Sequence, residues 1–135
     1  MSMVATLFKR DERLSRFPLW LAVGCILLLT IIYLSLSSTT IVPMQGHMDK
    51  LYHGFAYCCL MFWWLQLFPN RLARVVLAVL FVLMGGGIEF IQSFHPLRYM
   101  DWLDFLANTA GVILAALLGL TKLDQALCEF ERRVF

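Results

Sequence analysis

The chain has 135 residues, of which 61% are hydrophobic and only 15% charged, with a mean hydropathy of +0.76. Soluble domains carry about a quarter charged residues, and a domain this small buries the smallest fraction of its chain. The composition therefore predicts an integral membrane protein and excludes a disordered chain and a secreted disulfide scaffold. The net charge of +2 is too small for a nucleic-acid-binding domain, so no nucleic-acid partner is expected.

The first sixteen residues form a basic arm carrying Lys9, Arg10, Arg13 and Arg16. Four apolar runs follow: Phe17–Leu36, Leu51–Phe68, Leu72–Ile91 and Trp102–Leu120. Each approaches the ~20 residues with which a helix crosses the ~30 Å hydrocarbon layer. In lipid the backbone must satisfy its own hydrogen bonds, so each run is read as a helix. The first run exceeds the ~7–15 apolar residues of a signal peptide and is read as a retained span. Of the connections, only Ser37–Lys50 has room for structure of its own. The expected organisation is a cytoplasmic arm (1–16), a four-helix transmembrane domain (17–120) and an amphipathic tail (121–135). In the tail Leu120, Leu123, Leu127, Phe130 and Val134 recur at helical spacing between charged residues, which predicts a helix lying along the inner leaflet.

Nine of the eleven Lys and Arg residues fall in the arm, in the Pro69–Arg74 stretch or in the tail, against Lys50 and Arg98 on the other side. The positive-inside rule then places both termini in the cytoplasm. Trp20, Trp63 and Trp64 are expected at the inner interface, and Tyr33, Tyr99 and Trp102 at the outer one. The four cysteines, Cys25, Cys58, Cys59 and Cys128, show no CxxC spacing and read as small hydrophobes.

The informative feature is a set of polar residues at the outer ends of the last three spans: Asp49, Lys50, His53, Glu89, Gln92, Arg98, Asp101, Asp104 and Asn108. Asp49, His53 and Tyr57 are spaced by four, which stacks them on one helix face; Glu89 and Gln92 share a face, and so do Asp101, Asp104 and Asn108. A carboxylate facing acyl chains costs at least ~2.5–3.5 kcal/mol, so the three faces are expected to meet. Gly111, Ala115 and Gly119 form a small-xxx-small ridge for close helix contact. Gly85, Gly86 and Gly87 precede Glu89 and are read chiefly as packing residues.

Taken in order, DKLYHGFAY, GGGIEFIQ and RYMDWLDFLANTAG give the chain a resemblance to the VanZ-like family of small bacterial membrane proteins. It covers roughly Asp49 to Leu118, through Asp49, Lys50, His53, Glu89, Gln92, Arg98, Asp101, Asp104, Asn108 and Gly111. Gly54 and Phe55 depart from the family pattern, which tends to place Phe directly after the histidine. The resemblance implies a bacterial inner-membrane protein whose polar site faces the envelope, with a link to teicoplanin-type glycopeptide resistance and no established reaction.

Three readings of the polar group stay open on sequence. One is a pocket for a membrane lipid or lipid-linked cell-wall precursor, in which Arg98 and Lys50 meet a phosphate while His53, Gln92 and Asn108 donate or accept hydrogen bonds. A second is a hydrolase or transferase with His53 as general base, oriented by Asp49 or Glu89, and with Asp104 as a further candidate. HExxH, GxSxG and P-loop motifs are absent. A third is a purely structural polar lock. His47 and His95 read as hydrated loop histidines, so neither metal nor cofactor is expected. The inner halves of the four runs lack ionisable residues, which disfavours a proton path.

Overall fold

In a computed structural model the described residues are 6–37, 47–94 and 101–135, and they form five α-helices without a strand. These are α1 (Phe17–Leu36), α2 (His47–Leu67), α3 (Arg71–Gln92), α4 (Trp102–Leu118) and α5 (Ala126–Val134), with a 3-10 turn over Lys122–Gln125. Capping residues set the boundaries. Asn70 Oδ1 accepts from the amides of Leu72 and Ala73 at 2.8 and 3.3 Å, which opens α3. Asp101 Oδ1 opens α4 by accepting from the Leu103 amide at 2.8 Å.

α2 is the central helix. Tyr57, Leu60, Met61 and Leu65 on it are at most 2% exposed, whereas α1 and α3 present Ile26, Leu29, Val79 and Leu83 outward. Its tightest neighbour is α4. A Cβ at Gly111 would lie 2.1 Å from the carbonyl oxygen of Gly54, and one at Gly119 would lie 3.0 Å from Leu65. The ridge of Gly111, Ala115 and Gly119 thus faces α2 and lets the two backbones touch. Gly85 faces Tyr57 and Asn108, Gly86 faces Phe105, and α3 runs unbroken through all three glycines.

Two helices, α1 and α3, are each long and apolar enough to cross a membrane; α4 and the tail together make a third candidate, bent by 84°. The expected count of four is therefore not reproduced helix by helix. α2 carries Asp49, Lys50, His53 and Gln66; its second half supplies Tyr57, Leu60, Met61, Leu65 and Leu67 to the buried core, while Met48, Leu51, Tyr52 and Phe55 are exposed. α4 ends at Leu118, not Leu120, giving 17 residues, or ~26 Å at 1.5 Å per residue.

The arm around Asp11 and the tail around Asp124 lie at the same end of the bundle as the α2–α3 turn, since Asp11 donates its amide to the Leu67 carbonyl at 2.9 Å and Arg74 pairs with Asp124 at 3.2 Å. At this end Trp20 is buried, and its ring packs on Trp63 and Phe130. Here one expectation needs correction. The tail does not simply lie beside the bundle. Leu127 is buried in the core, and Glu131, one turn further on the same face, is 5% exposed. Leu120, Leu123, Phe130 and Val134 stay exposed.

Glu131 is the cap that α1 lacks. Arg16 supplies no side-chain cap, and Glu131 Oε1 instead accepts from the amides of Ser15 and Arg16, at 2.7 and 3.2 Å, and from the Ser15 hydroxyl. Its Oε2 accepts from the Trp20 indole. Gln66 Oε1 in turn accepts from the Leu127 amide at 2.7 Å, near the start of α5. Arg74 donates to the carbonyls of Leu65, Phe68 and Gly119, at 3.1, 3.2 and 3.1 Å, closing the ends of α2 and α4. The end groups that helices leave orphaned are thus met by side chains from other helices.

Candidate functional site

The opposite end of the bundle gathers the polar residues of α2, α3 and α4. The Gly54–Gly111 contact fixes how closely α2 and α4 approach, directly beside His53. At that spacing Lys50 on α2 reaches the start of α4. Its Nζ donates to Asp101 Oδ2 at 2.5 Å and to Asp104 Oδ1, and lies 3.7 Å from Asp49 Oδ2. One turn on, His53 Nδ1 lies 3.2 Å from Asn108 Oδ1, and its Nε2 is 4.0 Å from Asp49 Oδ1. The Lys50 hydrogen bond holds the Asp101 carboxyl below its usual range, aided by the Leu103 amide.

Glu89 enters from α3. It is 1% exposed, and its Oε2 accepts from the Asp101 amide at 3.2 Å, so the carboxylate sits at the positive end of α4. Its Oε1 is buried with no hydrogen-bond partner among the described residues. Tyr57 is 2% exposed and its hydroxyl is likewise unpartnered. The Tyr57 hydroxyl and the Asn108 amide both approach the bare Cα of Gly85, each 3.4 Å from where a Cβ would stand.

Seven of the nine sequence candidates therefore form one connected group: Asp49, Lys50, His53, Glu89, Asp101, Asp104 and Asn108. Gln92 departs from it. Its amide nitrogen donates to the Ser35 carbonyl at 2.5 Å, tying α3 to the last turn of α1. Arg98 lies outside the described residues, as do His95 and the side chain of His47. Tyr57, absent from the candidate set, belongs beside Glu89; its spacing of four from His53 was the available signal.

The chemistry of the group is anionic. Among the described residues four carboxylates gather with a single ammonium, and Lys50 is already committed to three of them, Asp49, Asp101 and Asp104. One ligand atom each from Asp49, His53 and Asp104 can be chosen so that all three lie within 4.8 Å of one another. Among the described residues the hydrogen-bond partner of His53 is Asn108.

No family model matches the chain, so the VanZ-like resemblance rests on the three motifs alone. No solved structure matches it either. The chain is similar to an uncharacterized protein of the fission yeast Schizosaccharomyces pombe, 35% identical over 103 residues. The match covers 74% of this chain and 62% of the relative, so it spans less than two thirds of that protein's length.

Proposed function

We propose that the chain is a four-span membrane protein, both termini on the cytoplasmic side, whose group of α2, α3 and α4 residues binds the polar headgroup of a membrane lipid at the far face. The observation that carries this reading is the pair of buried, unpartnered atoms, Glu89 Oε1 and Tyr57 Oη, beside an otherwise well-bonded cluster. A buried polar atom left unmade costs about 1–3 kcal/mol, so a polar lock alone leaves the group incomplete. The site lies at the ends of apolar helices, where acyl chains would lie against the exposed leucine and isoleucine faces of α1 and α3 and a headgroup would reach the polar residues. The concentration of basic residues at the terminal end supports the orientation. Because the similar fission-yeast protein is eukaryotic, we frame the ligand as a lipid headgroup in general; a lipid-linked wall precursor and glycopeptide resistance are the bacterial version of the proposal.

Native mass spectrometry of protein extracted with its lipids tests the reading. The expected result is a bound lipid whose occupancy falls at least fivefold in His53→Ala and Asn108→Ala and is unchanged in the exposed control Lys122→Ala. Equal occupancy in all four proteins would overturn it and leave the structural lock.

A further inference from the structure

The headgroup reading contains an electrostatic conflict. Most membrane headgroups carry a phosphate, yet among the described residues this site offers four carboxylates and one lysine, which is already paired with three of them. We propose that Asp49, His53 and Asp104 hold a divalent cation and that this ion receives the headgroup phosphate. The second half rests on the headgroup reading; the cation site does not.

The imidazole supplies the first argument. Asn108 Oδ1 can only accept, so at 3.2 Å the His53 Nδ1 carries the proton. In the neutral ring Nε2 is then a bare lone pair, and it faces Asp49 Oδ1, another acceptor, at 4.0 Å. Two lone pairs turned toward each other leave a place for a cation between them, a metal ion or a second ring proton. A hydrogen bond to the far ring nitrogen is also how metal-binding histidines are oriented.

Glu89 supplies the second. One of its oxygens is anchored on the Asp101 amide, which leaves the other buried and unpartnered. A buried carboxylate without a second donor adds negative charge that a cation held by the neighbouring trio would offset. Protein ligands stand about 2.0–2.2 Å from a zinc ion, so neighbouring donors end up about 3–4 Å apart. The present spread of up to 4.8 Å closes through rotation of Asp49, whose side chain is 37% exposed. The donors sit on rigid helix positions, one turn apart on α2 and in the first turn of α4, set by the Gly54–Gly111 contact. Lys50 then acts as placeholder. It bridges Asp101 and Asp104 now, and keeps Asp101 when an ion takes Asp104. One imidazole among carboxylates selects Mn²⁺ or Zn²⁺ over Mg²⁺ and Ca²⁺, which prefer oxygen alone.

The test uses full-length protein in detergent, stripped with a chelator and titrated with MnCl₂ or ZnCl₂, with retained metal measured by elemental analysis. The expected result is one ion per chain. Affinity falls at least tenfold in His53→Gln and Asp104→Asn, and about tenfold in Asn108→Ala through loss of the ring's orientation. Lys122→Ala is unchanged. Asp104→Asn also removes a partner of Lys50, so Asp49→Asn, at a more exposed position, provides a second ligand variant. Failure of the wild-type chain to retain either metal, or equal retention in every variant, overturns the site. Lipid occupancy that still depends on His53 while no ion binds would sink the cation and keep the headgroup. An ion bound while lipid occupancy ignores the chelator would keep the site and remove its link to phosphate.

Discussion

The two ends of the bundle bury carboxylates in opposite ways. At the terminal end Glu131 accepts four hydrogen bonds and Asp11 accepts from the amide and the guanidinium of Arg13 at 2.7–3.2 Å. Every oxygen of those two side chains has a donor. At the far end Glu89 is the most deeply buried acid, at 1% exposure, yet it has one backbone donor and a free oxygen. The remaining buried unpartnered atom among the described residues, the Trp64 indole nitrogen, belongs to a ring that packs on Phe68 and Phe81. A carboxylate with all its donors serves structure; one held in place with an oxygen left over has room for a ligand.

The largest effect that would break this contrast comes from the contact that builds the far end. Gly111→Ala places a methyl group 2.1 Å from the Gly54 carbonyl, between two backbones that cannot yield separately. Overpacking costs typically ~1–3 kcal/mol and more where backbone must move, so a loss of at least ~3 kcal/mol is expected in thermal or denaturant unfolding. Gly87→Ala is its control. Nothing stands within 4 Å there, and exchanging a helical glycine for alanine should stabilise by up to ~1 kcal/mol. Equal effects at the two positions would show that α2 and α4 do not cross as described.

Next in size is Glu131→Ala. It strips the acceptor from four donors at the start of α1, and a loss of ~3 kcal/mol is expected from unmade charged hydrogen bonds. The pH dependence sharpens the same point. Burial raises the Glu131 carboxyl, but bonds from Ser15, Trp20 and Arg16 outweigh it and hold the group below its ordinary 4.5. A depressed carboxyl contributes stability that is complete above the unfolded value and is lost as pH falls through the folded one. The tail should therefore stay fully docked above the ordinary 4.5. Acidification from there through the lower value of the folded state should release the tail in the wild type and change little in Glu131→Ala, as hydrogen exchange of residues 126–134 would report.

The smallest effect belongs to Glu89→Gln. It keeps an acceptor for the Asp101 amide and adds an amide donor beside the free Tyr57 hydroxyl, so stability should change by under ~1 kcal/mol. A neutral substitution at the most buried acid is what a site, as opposed to a lock, predicts.

Much of the far end was readable from spacing. Intervals of four from Asp49 to His53 to Tyr57, and of three and four from Asp101 to Asp104 to Asn108, fix one face each. Ionisable groups in an apolar chain have few places to go but toward one another. The terminal end was misread for a related reason. Leu127 and Glu131 are also four apart, but a charge in a tail is usually solvated, and nothing local reveals that α1 begins without a cap. Gln92 escaped because its partner is a carbonyl, Ser35 O, and backbone groups leave no mark on a sequence pattern. By length and apolarity α1 and α3, and α4 with the tail as a bent pair, qualify as spans, whereas α2, with its polar first turns, does not.

The most direct measurement is lipid occupancy against unfolding temperature for Glu89→Gln and Glu131→Gln side by side. The account predicts that Glu89→Gln loses its lipid at least fivefold while unfolding within a few degrees of the wild type, and that Glu131→Gln unfolds earlier but binds lipid normally. A Glu89→Gln protein that keeps its lipid and loses its stability would contradict it, and would make both ends of the bundle the same kind of lock.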